Sequence, residues 1–120
     1  MEITYILAGM RFNATDHSEL SRQLIQFGLV ANLDSRGFGS LTVRRMSEPQ
    51  GTARYDIVQS FGDSADFKGY DVCVGKLIGN KNYGEKSEVI EVEISELEKA
   101  LVEIKKDIPE AKILVGSYWS

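Results

Sequence analysis

Residues 88–119 read EVIEVEISELEKALVEIKKDIPEAKILVGSYW, and three patterns follow one another along them. In 88–94 Ile90, Val92 and Ile94 point one way and Glu91 and Glu93 the other, the period of a half-buried strand. Ser95 stands three residues before Glu98, the S-x-x-E spacing of a capping box that opens a helix. Leu97, Leu101, Ile104 and Ile108 then recur at helical spacing and form one apolar stripe. Lys105 and Lys106 fall in the last turn, where positive charge complements the helix dipole, and Pro109 stops the helix. The segment 111–119, AKILVGSYW, reads as a final buried strand. The last third is therefore strand–helix–strand.

Working outward, residues 3–8, ITYILA, are apolar on both faces except at Thr4, which suits a strand in the middle of a sheet. Asp16 caps a helix, with Glu19 in capping-box position. Leu20, Leu24 and Phe27 share one face of that helix. Gly28 sits where a helix end favours a left-handed residue, with Leu29 as the apolar contact beyond it. Between these two blocks lie three short strand candidates, SLTVRRM (40–46), RYDIVQSF (54–61) and YDVCVGKL (70–77), separated by turn-rich SEPQGT and GDSADFKG. In the second candidate Tyr55, Ile57 and Phe61 share one face, and Arg54, Asp56 and Ser60 the other.

Right-handed crossovers place both helices on one side of the sheet. The expected architecture is a single α+β domain over 1–120. It is a two-layer sandwich of ferredoxin-like arrangement with extra strands, its two helices packed on one face of a mostly antiparallel sheet. The opposite sheet face is expected to carry Glu91, Glu93 and some of the arginines, and to be either solvated or an interface between copies.

Composition narrows the function classes. The chain has 120 residues, 42% of them apolar and 27% charged, which are ordinary globular values. Its N-terminal run, MEITYILAGMRF, has an acid at position 2 and no basic segment, and no apolar run reaches the ~18 residues of a membrane span. Cys73 is the one cysteine, so an internal disulfide is impossible and a cytoplasmic location is expected. The net charge of −4 is unevenly spread: residues 1–84 hold nine acids and nine bases, while residues 85–110 hold nine acids and four lysines.

The stretch GNKNYGEKS (79–87) resembles a phosphate-gripping loop in outline. Such a loop needs a helix N-terminus behind it, and the residues that follow read as strand, with Glu85 inserted before Lys86. It is expected to be a hairpin loop in which Gly79, Asn80, Asn82 and Gly84 supply left-handed conformations and Lys81 and Tyr83 are exposed at the tip. His17 is the only histidine and reads as a surface residue of a first helical turn. With one histidine and one cysteine no metal site is expected. Cys73, between two valines in a strand, reads as a small core residue. No catalytic set and no cofactor motif emerge.

Arg44, Arg45 and Arg54 could touch phosphates, but consecutive Arg44 and Arg45 point to opposite faces of a strand, and the overall charge is wrong for a nucleic-acid module. Single-stranded nucleic acid is therefore the weaker alternative. The acidic third is expected to matter most. Glu88, Glu91, Glu93 and Glu96, with Lys81, Tyr83 and the terminal aromatic Trp119, are the candidate partner-binding residues. The expected function is a non-enzymatic acidic module, of regulator or inhibitor type as in immunity or anti-defence proteins of bacteria and phages, that occludes a protein partner with a basic surface. A homodimer is a further possibility. The alternative is a ferredoxin-like oligomer that binds or transforms a small ligand.

Overall fold

A computed structural model describes residues 2–33, 41–49, 55–62, 69–82 and 89–119. In chain order the elements are β1 (Glu2–Ala14), α1 (His17–Ile25), β2 (Leu29–Leu33), β3 (Leu41–Arg45), β4 (Asp56–Gly62), β5 (Gly69–Asn82), α2 (Ile94–Lys105) and β6 (Lys112–Trp119). The fold is α+β, with a four-stranded sheet in the order β4-β5-β1-β6 and a separate two-stranded sheet of β2 and β3. Of the three strand candidates of the middle region, the first, β3, pairs with β2 in the small sheet, and the other two, β4 and β5, belong to the four-stranded one. Contacts group the chain into two units, Met1–Met10 with Gly75–Ser120, and Arg11–Val74.

In the unit Arg11–Val74, α1 begins as its sequence requires. The Asp16 carboxylate accepts from the Glu19 backbone N–H at 2.8 Å. Glu19 reaches back to the N–H and hydroxyl of Thr15, one residue earlier than a standard capping box. Those two bonds, the hydroxyl first, hold the Glu19 carboxyl below its ordinary value of 4.5. Leu20 and Leu24 are fully buried, and α1 packs on β2. Gly28 ends the helix region at φ +71°, a conformation that costs a residue with a Cβ about 1–2 kcal/mol. Leu29 beyond it is buried, but it is also the first residue of β2, a strand whose five residues were too short to stand out from the helix end. β2 and β3 pair antiparallel from Leu29↔Arg45 to Leu33↔Leu41, so Leu29, Ala31, Leu41 and Val43 go inside. Phe12 meets Phe27 edge-on, with centroids 6.0 Å apart. His17 is half-buried rather than a plain surface residue, and Cys73 is buried.

In the other unit β1 and β6 pair antiparallel without interruption from Glu2↔Trp119 to Gly9↔Lys112. Tyr5 and Leu7 turn to the buried side, and Ala100, Ile104, Ile108 and Ala111 complete that core. Leu97 and Leu101 are only half-buried, so the buried stripe of α2 is rotated toward Ala100. α2 packs on β6. The chain reverses after α2 through bonds from Ile108 N–H to Ile104 O and from Ala111 N–H to Ile108 O, and the turn holds Pro109.

The segment 89–93 departs from expectation. It carries no strand hydrogen bonding, although its side chains alternate as the sequence implies: Ile90 and Val92 are half-buried, while Val89, Glu91 and Glu93 are exposed. Alternation reports which side chains are covered, and an extended segment can satisfy it without joining a ladder. α2 begins one residue before Ser95, and its N-cap is Glu93, which makes no side-chain capping bond. The expected Ser95–Glu98 box is replaced by a contact of the Ser95 hydroxyl with the Glu93 carboxylate at 3.5 Å. The outer face of the sheet in this unit carries Thr4, Ile6, Ile113, Val115 and Ser117, which share a side by register, and not Glu91 or Glu93.

At Gly75 two segments of backbone approach closely. A Cβ there would lie 2.0 Å from the Ala8 carbonyl oxygen and 2.7 Å from Gly9 Cα. Both obstacles are main-chain atoms and cannot rotate away. Gly75→Ala is expected to lose about 2–3 kcal/mol or more of stability, against about 1 kcal/mol for Gly28→Ala, where a Cβ meets nothing within 4 Å. Urea midpoints of the two variants check this, and a Gly75→Ala protein as stable as the parent would contradict the close approach.

Candidate functional site

The segment 89–93 lies over β5. A Cβ at Gly79 would meet Ile90 Cγ2 at 3.0 Å and Val92 Cγ2 at 3.4 Å, so the bare backbone at Gly79 makes room for those two side chains. This corrects the expectation for Gly79, Asn80 and Asn82. They continue β5 rather than turn, and among the described residues only Gly28 has positive φ. Gly84, Tyr83 and Glu88 lie outside the described residues, as do the side chains of Lys81 and Trp119, whose backbones belong to β5 and β6.

With Ile90 and Val92 turned inward, the alternate residues are forced out. Val89 is 63% exposed, and Glu91 and Glu93 are exposed beside it. At Ile94 the backbone changes from extended to helical. The side chain that the strand period would have buried swings out instead and is 72% exposed. Glu96 and Glu98 follow on the first turns of α2, both exposed. Ile94, Glu98 and Val102 are spaced by four and lie on one side of the helix, and Val102 is also largely exposed. Among the described residues Glu91, Glu96 and Glu98 make no salt bridge. The result is a surface of solvent-exposed carboxylates set around solvent-exposed aliphatic side chains. Glu91, Glu93 and Glu96 are brought together here. Val89, Ile94 and Val102 belong to the same surface and were not foreseen, because an apolar residue at a strand-period position reads as core.

Bordering that surface, and sharing Glu96 with it, is a shallow cavity of about 220 Å³, lined by Lys76, Leu77, Ile78, Glu96, Lys99 and Ala100. At its edge the Lys76 ammonium bonds Glu103 at 3.1 Å. That bond, then the lysine's charge, with smaller help from Lys106 and Lys99, holds the Glu103 carboxyl below its ordinary value of 4.5. Both partners are about half exposed, so the pair contributes little to stability. Among the described residues no three His, Cys, Asp or Glu side chains gather where they could hold a metal ion.

Of the three arginines Arg44, Arg45 and Arg54, the first two are among the described residues. Arg44 is half-buried, and its Nη1 donates to the backbone carbonyls of Arg45 at 3.1 Å and Glu48 at 2.8 Å. It thereby fastens the turn after β3. Arg45 is half-buried opposite Leu29, and Arg54 lies outside the described residues. Among the described residues a different arginine, Arg11, donates from Nε and Nη2 to both Asp71 oxygens at 2.6 Å, a two-pronged pair on the surface.

The Lys76–Glu103 contact has a titration signature. Glu103 stays ionised to below its ordinary value, so its small stabilising effect is present above that value and is lost as pH falls through the lowered one. In Lys76→Met the Glu103 midpoint, followed by carboxyl NMR, is expected to rise toward 4.5, with little change in melting temperature at neutral pH.

Comparison with protein-family models, with curated proteins and with solved structures yields no match, and the functional reading rests on the residues just described.

Proposed function

We propose that this chain is a non-enzymatic, acidic protein-binding module that regulates or inhibits a partner by covering a basic surface on it. The observation that carries this reading is the surface from Val89 to Glu98. Carboxylates with no salt-bridge partner among the described residues surround Val89 and Ile94, which are 63% and 72% exposed. Carboxylates of this kind speed encounter with a cationic partner and fix its orientation, while desolvated aliphatic contacts slow its release. Val89, in a segment that joins no sheet, and Ile94, at the start of α2, are among the large apolar side chains this fold leaves exposed, with Ile25, Met46, Val102 and Val115. We place the protein in the cytoplasm on the same cysteine argument as before; none of its described helices is long and apolar enough to cross a membrane.

We also read the four-stranded order as a ferredoxin-like arrangement interrupted by an inserted β2–β3 pair. If β2 and β3 are set aside, the remaining elements run strand–helix–strand–strand–helix–strand, and the order β4-β5-β1-β6 then places the first and third strands at the centre, as that arrangement does. The small-ligand alternative has the cavity beside Lys76 and Lys99 in its favour. At about 220 Å³ that cavity is below the ~300–1,000 Å³ usual for ligand pockets, and the binding-surface reading is preferred.

The test compares the parent with the double variant Glu91→Lys, Glu93→Lys as baits in source-cell lysate, at low and at near-physiological salt. The parent is expected to retain one stoichiometric basic protein, less of it as salt rises, and the variant to lose it. The variant should melt within a few degrees of the parent, since Glu93 makes no side-chain capping bond. Equal retention by parent and variant removes this surface from the function, and a parent that retains nothing at either salt favours the small-ligand reading.

A further inference from the structure

β6 is an edge strand. The sheet order ends on it, and among the described residues no strand pairs with its outer side. Edge strands of this length are normally guarded by a central lysine, a proline, a bulge or brevity, because their unpaired N–H and C=O groups invite another strand. β6 has none of these guards. It runs eight residues, KILVGSYW, and its register with β1 is continuous from one end to the other. Its only charge is Lys112, at the first position. The face beside this edge is open at Val115, which is 69% exposed; Ile6 opposite it and Ile113 next to it are half-buried, and Ala8 opposite Ile113 is fully buried.

Charge indicates what such an edge accepts. Two copies of a chain with net charge −4 repel when they approach through residues 85–110, where nine acids face nine. The strand 112–119 contains no acid. If two β6 strands pair antiparallel about a two-fold axis at their middle, the two Lys112 residues sit at opposite ends. With the axis at Val115, six residues at ~3.4 Å per residue separate them by ~20 Å, well beyond the screening length of about 8 Å. Parallel pairing would set them ~5 Å apart. The distribution of charge thus permits a symmetric antiparallel self-pair of β6 and opposes both a parallel pair and an approach through residues 85–110.

We infer that a second copy of this chain pairs with the outer edge of β6, forming an isologous dimer in which the sheet continues across the two-fold axis. Val115 of each copy lies at the axis, where the two side chains meet on one face of the continued sheet. This surface is separate from the one around Glu91 and Ile94, which stays exposed in the dimer and available to another partner.

Sedimentation equilibrium of the full chain across the micromolar range tests the inference. The parent is expected to reach about twice its 13.4 kDa mass. Val115→Lys would bring two cations together at the axis and should weaken self-association at least roughly tenfold, whereas Val115→Thr should retain it. Circular dichroism and melting should show Val115→Lys folded, because the side chain it replaces is largely exposed. Hydrogen exchange gives a second readout, with outward-facing β6 amides protected in the parent dimer and exchanging freely in Val115→Lys. A parent monomeric throughout the range overturns the inference, including one that captures a foreign strand. So does a dimer unaffected by Val115→Lys, or one dissolved by Glu91→Lys instead.

Discussion

The close approach of β5 to β1 at Gly75 is the constraint on which much of this structure depends. The Ala8 carbonyl and the Gly9 Cα occupy the space in which any other residue at position 75 would carry its Cβ. These two strands are the inner pair of the four-stranded sheet, and they are also the longest in the chain. The buried side chains of β1 change parity along its length. Tyr5 and Leu7 are buried near its start, and Phe12 and Ala14 near its end. Within ITYILA itself the adjacent Leu7 and Ala8 are both fully buried, so that stretch shows no clean period of two.

The segment before α2 shows a second consequence of backbone geometry. Its side chains alternate as a strand's would, because Ile90 and Val92 need cover and Gly79 provides the space for it. Sheet hydrogen bonding is a separate requirement, and it is not met. At Ile94 the change to helical dihedrals rotates an isoleucine into water. The acidic and apolar groups that make up the proposed docking surface are thus placed by one backbone transition. Neither half of the transition contains the whole surface.

Electrostatics in this protein divides into pairs that tie local structure and charges left to solvent. Arg11 with Asp71, Lys76 with Glu103, and Glu19 with Thr15 are local ties, and Arg44 fastens a turn through two carbonyls. Glu91, Glu96 and Glu98 have no comparable partner among the described residues. A desolvated cationic partner is the environment in which such carboxylates gain interaction energy. The acid-free edge strand β6 offers the complementary kind of contact, one in which like copies meet without opposing charge.

The residues alone determined the helices and the class of the fold. Asp16 with Glu19, the pair Leu20 and Leu24, Gly28, and the helical spacing around Ile104 act within a few positions of one another. Local hydrogen bonding and periodicity are sufficient to express them. The same holds for the strands around Val43, Val74 and Leu114, and for Cys73 as a core residue. Tertiary structure decided the rest. It made β2 a strand by giving it β3 to pair with, kept 89–93 out of any ladder, and drew Gly79 into β5. It also turned Arg44 onto its own turn and Ile94 outward. Each of these outcomes depends on a partner far away in sequence, or on a change of dihedrals at a boundary, and neither leaves a periodic trace in the chain.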